Sequence, residues 1–424
     1  MKSRALLVLL SALGLAVLGL AGCASTGFVT GPSGGPTSLY PNGSSSIAPE
    51  SRKVSILLPL SGPLAPVGQS MLQAAEIVLQ TPGSPQFHAF DTGGTPAGAA
   101  AAAQQAVSYG AGMILGPLTF SDTAAAAPIA RKAGIPMLAF TNDESEAEAG
   151  VWILGITPGQ QVRRLVAALQ AQGKTRLAAL LPDNNYGAAM QTALQSAASA
   201  AGDPPPTIQT YSSGIRSINQ AVREVSDYAG RRGPIEAQIS AARALDNAAG
   251  RARMHALQQQ PIPPPPFDAL LLAATGTDLQ EIGAFLPYYD LNPGAVQVVG
   301  PNLWQEPANR RGAALAGAWY AAPDPTFRQQ FADAYAAKYA SPPLALDDLA
   351  FDAAALARAL AAGPGYSAAA LTSPAGFTGA DGLLALRPNG QVVRGLAVFS
   401  IGAGGAATVL DPAPTNLAAA GAGA

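Results

Sequence analysis

Few residues in this chain could do chemistry, and the most telling is its one cysteine. Cys23 follows Leu20-Ala21-Gly22, at the end of an apolar run from Ala5 to Ala21 that only Ser11 interrupts and that Lys2 and Arg4 precede. A basic start, an apolar middle and small residues at the end have the form of a secretory signal, too short to be a comfortable membrane span. With the only thiol placed directly after it, the pattern is that of a bacterial lipobox. Residues 1–22 are then removed and Cys23 becomes a lipidated N-terminus, its acyl chains anchoring the protein at about 0.8 kcal/mol per buried CH₂. One Cys and two His exclude a disulfide framework and the usual structural metal sites. His88 falls on an expected strand and His255 in a helical stretch, and neither is spaced with a serine as base and nucleophile. No catalytic residue, no metal and no cofactor are therefore expected.

Composition narrows the partners. The formal net charge is −2 and only 12% of residues are charged, so nucleic acid is excluded as a principal ligand. Ala24 follows Cys23 where lipoproteins kept at the inner membrane usually carry Asp. This favours the inner leaflet of the outer membrane, facing the periplasm. Residues 23–51, rich in Gly, Ser, Thr and Pro, read as a flexible tether. A chain of 424 residues is too long for one core and suits two domains.

The elements that must position any site alternate. Val54–Leu58 is an almost wholly apolar run, as expected of a parallel strand buried on both faces. Phe87–Phe90 and Met113–Leu115 repeat the theme, followed by an Ala-rich helix from about Pro96 to Tyr109 and a helix to about Ala133, and Pro136–Phe140 is a fourth strand ending at Thr141-Asn142. The pattern then restarts. Leu57-Leu58-Pro59 with Gly68 and its helix is echoed by Leu180-Leu181-Pro182 with Gly187 and its helix. Strands at Leu177–Leu181, Thr207–Tyr211, Asp268–Ala273 and Val296–Gly300 continue it, around an Arg-containing helical insertion at 213–266. The stretch Leu383–Ile401 reads as a hairpin turning at Pro388-Asn389-Gly390, and 412–424 as a tail. The fold class is α/β with two similar lobes, and ligands in such sheets lie beyond the carboxyl ends of the strands.

The stretches 56–77, 114–140, 156–187, 298–304 and 331–354 resemble, in order, the type I periplasmic-binding fold related to the leucine-binding proteins. Within it, the Leu-Pro-Leu-Ser-Gly opening, Asp91-Thr92-Gly93 and Gly116-Pro117-Leu118, on a lipoprotein, look most like the penicillin-binding protein activators. The resemblance implies a two-lobed fold, each lobe a mostly parallel sheet flanked by helices, with a cleft between them. It implies lobe I at 52–157 plus 323–372 and lobe II at 158–322 plus 373–411. Hinges would fall near Ile156-Thr157-Pro158, Ala321-Ala322-Pro323 and Thr372-Ser373. It also implies a non-catalytic regulator that binds a peptidoglycan synthase, a class A penicillin-binding protein, with a solute receptor of an ABC importer as the alternative. Candidate cleft residues are Ser61, Gly62, Gly116, Thr119, Thr141, Asp183, Tyr186 and Asn302. Phe120 stands about where amino-acid-binding relatives carry a small hydroxyl residue, and neutral Asn302 stands where an acidic residue would meet an ammonium group. Asp183 is the candidate substitute. The acidic loop Asp143, Glu144, Glu146, Glu148 reads as a solvated surface, with a docking patch or weak cation site as the alternative.

Overall fold

A computed structural model describes residues 37–38, 52–291, 294–310 and 315–416. Cys23, the segment 1–22 and all of 23–51 except Thr37–Ser38 lie outside the described residues. In chain order, β1 (Thr37–Ser38) is followed by β2 (Lys53–Leu58), α1 (Ala65–Leu79), β3 (Phe87–Asp91), α2 (Pro96–Tyr109), β4 (Ala111–Leu115), α3 (Phe120–Lys132), β5 (Met137–Ala139) and β6 (Val151–Ile153). Strands β2 to β6 form one parallel sheet in the order β3-β2-β4-β5-β6. Alternate residues of β2 serve two cores. Val54, Ile56 and Leu58 pack beneath α1, whereas Leu57 faces Ala99, Ala102 and Ala103 of α2 and Ala126, Ala127 and Ala130 of α3. Alanines at helical spacing let α2 and α3 lie close to the sheet and to each other, which is where much of the Ala content goes.

The second lobe begins with α4 (Pro158–Gln170), β7 (Leu177–Pro182), α5 (Asn185–Ala201), β8 (Thr207–Tyr211), α6 (Ile215–Val225), α7 (Tyr228–Ala244) and α8 (Ala248–Gln258). It continues through β9 (Ala269–Leu272), α9 (Gly276–Phe285), β10 (Gln297–Gly300) and β11 (Trp319–Ala322). Then α10 (Pro325–Tyr339), α11 (Asp347–Ala361) and α12 (Ala368–Leu371) return to the first core, with α11 beside α1. The chain ends in β12 (Phe377–Gly379), β13 (Gly382–Leu386), β14 (Val392–Arg394), β15 (Ala397–Ile401) and β16 (Ala407–Asp411). The second sheet runs β16-β15-β11-β10-β9-β7-β8, with β15 antiparallel to its neighbours β11 and β16 and the other pairs parallel. A third, small sheet runs β1-β12-β13-β14.

Four expectations need correction. The last change of lobe comes later than Thr372-Ser373. Phe377, Leu384, Leu386 and Val392 bury themselves with Val54, Trp152 and Phe331, and the Trp152 indole N–H donates to Arg387 O at 2.7 Å. Only at Ala397 and Phe399 does the chain enter the second core. The turn at Arg387–Gln391 is present, but its second strand stops at Arg394, so Leu383–Ile401 is not one hairpin. The insertion is also shorter than 213–266. Ile218, Ala221, Val222 and Val225 of α6 are integral to the second core, leaving α7 and α8 as the excursion. The body likewise extends past 412, since Ala413 packs into the second core.

Beneath α11 lies a cluster of buried charge. Arg328 Nε meets Asp348 at 2.6 Å, and Arg394 NH1 meets Asp381 at 3.2 Å. Asp352 accepts the backbone N–H groups of Ala380 and Asp381 at 2.6 and 3.1 Å. Burial, and then the negative charge of Asp381, push Asp348 up to about 8 and Asp352 up to about 7. The folded chain thus holds protons that the unfolded chain releases near pH 4. Stability contributed by these groups is complete at about pH 4 and is lost as pH rises through 7 to 8. Thermal unfolding followed from pH 5 to pH 8.5 should show a falling midpoint; a rising one would refute the assignment.

Candidate functional site

Residues Leu154–Thr157 join the carboxyl end of β6 to the start of α4. Because α4 precedes β7, it begins at the carboxyl edge of the second sheet. The carboxyl edges of the two sheets therefore face one another, and the loops leaving them form the walls of the cleft. Thr157 fixes this junction through a capping box: its hydroxyl accepts from Gln160 N, and the Gln160 side chain accepts from Thr157 N.

On the first wall the candidate side chains take part in the hydrogen bonds of their own loops. Asp91, of the Asp91-Thr92-Gly93 motif, accepts N–H groups of Leu60, Ser61 and Gly93 at 2.8, 3.2 and 2.8 Å. The Ser61 hydroxyl and these amides hold its carboxyl below the usual carboxylate range. Ser61 thus serves the loop's shape, as does Gly62, whose φ of 78° puts it in the left-handed region, against Gly93 O. Gly116 is buried, with its N–H donating to Leu138 O at 2.7 Å. Thr119 caps α3 by accepting from Asp122 N at 3.2 Å, and Thr141, nearly buried, accepts from Asp143 N at 3.2 Å. Phe120, at the first position of α3, is 43% exposed.

The second wall is laid by the loops after β7, β8, β9 and β10. Asp183 is exposed and Asn184 caps α5 by accepting from Gly187 N at 3.0 Å. The Tyr186 hydroxyl is buried without a partner, and burial pushes its pKa up to about 12. Tyr211, at the end of β8, is pushed upward by burial, with the charge of Asp278 adding to it. Asn302 donates its backbone N–H to the Gln161 side chain of α4 at 2.7 Å, so its loop is fastened to the hinge helix. The sequence reading missed Asp278, which lies in the first turn of α9 and accepts from the Ser213 hydroxyl at 2.8 Å. The signal was available: Thr275-Gly276-Thr277-Asp278 follows a buried strand at its carboxyl end, as every other cleft loop does. Thus Asp278 adds a second carboxylate to the wall that holds Asp183, near enough to Tyr211 for its charge to act there, with Asn302 in the next loop.

The acidic loop is braced against the hinge. A side-chain carbon added at Gly159 would lie 2.8 Å from a Glu144 carboxylate oxygen, so that carboxylate sits at the amino end of α4, where the helix dipole favours negative charge. Glu148 pairs with Arg131 at 2.7 Å. Among the described residues no group of His, Cys, Asp or Glu is arranged to hold a metal ion. His88 packs against the rings of Phe90 and Tyr109, and His255 lies beside Gln259.

Comparisons with known proteins agree with this architecture. The family model described as "Periplasmic binding protein" matches residues 51–214. No curated protein sequence matches the chain. Among solved structures, a protein assigned to a branched-chain amino acid ABC transporter of Rhodospirillum rubrum is 17% identical, with a TM-score of 0.66 over 85% of this chain and 100% of that one. The leucine binding protein LivK of Thermotoga maritima is 17% identical, with a TM-score of 0.52 over 85% of this chain and 98% of its own. Full-length LpoA of Haemophilus influenzae is also 17% identical, with a TM-score of 0.60 over 86% of this chain, which spans 60% of that protein. The chain has the two-lobed α/β fold of the type I periplasmic binding proteins.

Proposed function

We propose that the chain is a non-catalytic periplasmic lipoprotein that binds a peptidoglycan synthase and raises its activity. The observation that carries this reading is the first wall of the cleft. Ser61 N donates to Asp91, the Thr119 and Thr141 oxygens accept from backbone amides of their own loops, and Phe120 stands exposed where a small hydroxyl would receive a ligand carboxylate. A wall whose side chains serve its own loops leaves the outer surface as the functional part. The likeness to LpoA, over most of this chain, supports the same reading. So do the lipobox-like sequence at Cys23, the Gly-, Ser- and Pro-rich stretch that follows it and Ala24, which favour lipid anchoring at the inner leaflet of the outer membrane. In a reconstituted glycan-polymerisation assay, the folded part should accelerate its cognate synthase severalfold; an unchanged rate with no binding refutes the proposal.

A second reading, a solute receptor of an ABC importer for an amino acid or other small metabolite, is favoured by Asp278. Its carboxylate on the second wall can meet an ammonium group that Asn302 cannot, and a buried ammonium needs such a partner. Under this reading a panel of amino acids at 1,000-fold excess over Kd should raise stability by about 4 kcal/mol. Asp278→Asn should abolish the shift. No thermal shift with any member of the panel excludes this reading and leaves the first.

A further inference from the structure

Between α6 and β9 the chain leaves the second lobe and returns. Helices α7 and α8 pair around Ile235, Ile239, Ala242 and Leu257, a core separate from both lobes. The base of the pair is fixed by Arg231, which is buried and donates to Ser226 O, Pro263 O and Tyr289 O at 2.8, 2.9 and 2.7 Å. Three charge-assisted bonds to three separate segments make a rigid attachment. The second core does not need this excursion, because α6 and α9 already cover that face of the sheet.

The charge of the hairpin is opposite to that of the rest. From Tyr228 to Gln258 five arginines stand against Glu236 and Asp246, a net of +3 in a chain whose total is −2. Arg231 is used at the base and Arg232 is paired with Glu236 at 2.6 Å. Arg243, Arg251 and Arg253 are exposed and have no ion pair or hydrogen bond among the described residues. Leu245, at the turn between the helices, is 57% exposed. Topology places the group. Helix α6 starts at the carboxyl edge of the second sheet and runs back to the opposite edge, where β9 also begins, so the hairpin projects away from the cleft. Strand β2 begins at the edge of the first lobe that is likewise turned from the cleft. The arm and the start of β2 therefore both lie away from the cleft, one on each lobe.

We propose that the α7–α8 hairpin is a docking arm for an acidic face of a protein partner, with Arg243, Arg251 and Arg253 as its charged contacts and Leu245 at its tip. A lipid surface fits less well, since both helices turn their apolar stripe inward and leave only Leu245 to insert. Fixed arginines on a rigid frame suit carboxylates at fixed positions, and Arg is the charged residue that most often carries binding energy at protein interfaces. The identity of the partner as a synthase rests on the function proposed above; the arm itself does not.

The test uses immobilised poly-L-glutamate as the acidic probe, phosphatidylglycerol vesicles as the lipid probe, and the synthase. The folded protein should be retained on poly-L-glutamate at low salt and released by about 0.3 M salt, where screening is strong. Arg243→Glu/Arg251→Glu/Arg253→Glu, and the milder triple Ala variant, should unfold at the wild-type temperature and bind poly-L-glutamate and synthase about tenfold more weakly or worse. Unchanged binding of both variants overturns the arm, as does wild-type binding to the vesicles in preference to poly-L-glutamate. A wild-type protein that leaves the synthase unaffected refutes the activator reading alone, and the poly-L-glutamate comparison still decides the arm.

Discussion

Replacing Arg394 with Met should cost about 3–5 kcal/mol of folding free energy, read as a drop in the urea midpoint at pH 7.5. The Arg394 side chain is 0% exposed, and its two terminal nitrogens serve different partners. One meets Asp381 at 3.2 Å and the other donates to Leu154 O at 2.5 Å. Leu154 lies in the first passage between lobes and Arg394 at the start of the last, so one guanidinium ties two of the three crossings. Met fills similar volume but leaves Asp381 buried without its cation, beside Asp352 and Asp348. An uncompensated buried carboxylate is the expensive outcome; a missing surface pair would cost under about 1 kcal/mol. One further readout identifies the mechanism. Adding Asp381→Asn should recover more than half of the loss, because it removes the stranded charge. A loss below about 1 kcal/mol would show that this pair does not hold the crossings together.

Much of the architecture is legible because its strands are buried on both faces. Val54–Leu58 and Leu177–Leu181 are apolar throughout, which only a central parallel strand requires, and Thr207–Tyr211 was delimited by the turn residues around it. Strands that lack this signature went unread. Val151–Ile153 is three residues after an acidic loop and becomes a strand by pairing with β5, and β16 is an exposed edge strand with no apolar face to recognise. The position of β13 and β14 was legible as a turn, but nothing local says that Leu384 and Val392 belong beneath Trp152 rather than in the second lobe. The cleft follows the same division. That Thr119, Thr141 and Asp183 sit at strand ends could be read from the alternation. That Thr119 caps α3 and Thr141 holds a turn depends on backbone amides two or three residues on, and that Asp278 shares a wall with Tyr211 depends on strand order in the sheet. Strand order is set by long-range pairing, which a single chain's pattern does not record.

Gly68→Val and Gly187→Val should each lower stability by about 3 kcal/mol, and the melting temperature by about 6–12 °C. These are the two glycines of the internal echo, and the structure supplies its cause. A side-chain carbon at Gly68 would lie 2.1 Å from Pro59 O, and one at Gly187 would lie 1.9 Å from Pro182 O. In both lobes, then, the helix after the first strand closes onto the carbonyl at that strand's end, and only hydrogen fits between them. The obstacle is backbone, so no rotamer relieves it; α1 or α5 must move outward by more than an ångström. Movement of α5 also carries Tyr186, the residue before Gly187, out of its buried position on the second wall. Loss of protection at Tyr186, seen as a tyrosine that titrates nearer its ordinary value, should therefore accompany Gly187→Val and not Gly68→Val. Gly233, inside α7 with nothing within 4 Å of an added carbon, is the control: Gly233→Ala should be neutral or stabilise by up to about 1 kcal/mol. If Gly187→Val melts with the wild type while Gly233→Ala behaves as stated, the echo is an accident of an Ala- and Leu-rich chain rather than a packing rule shared by the two lobes.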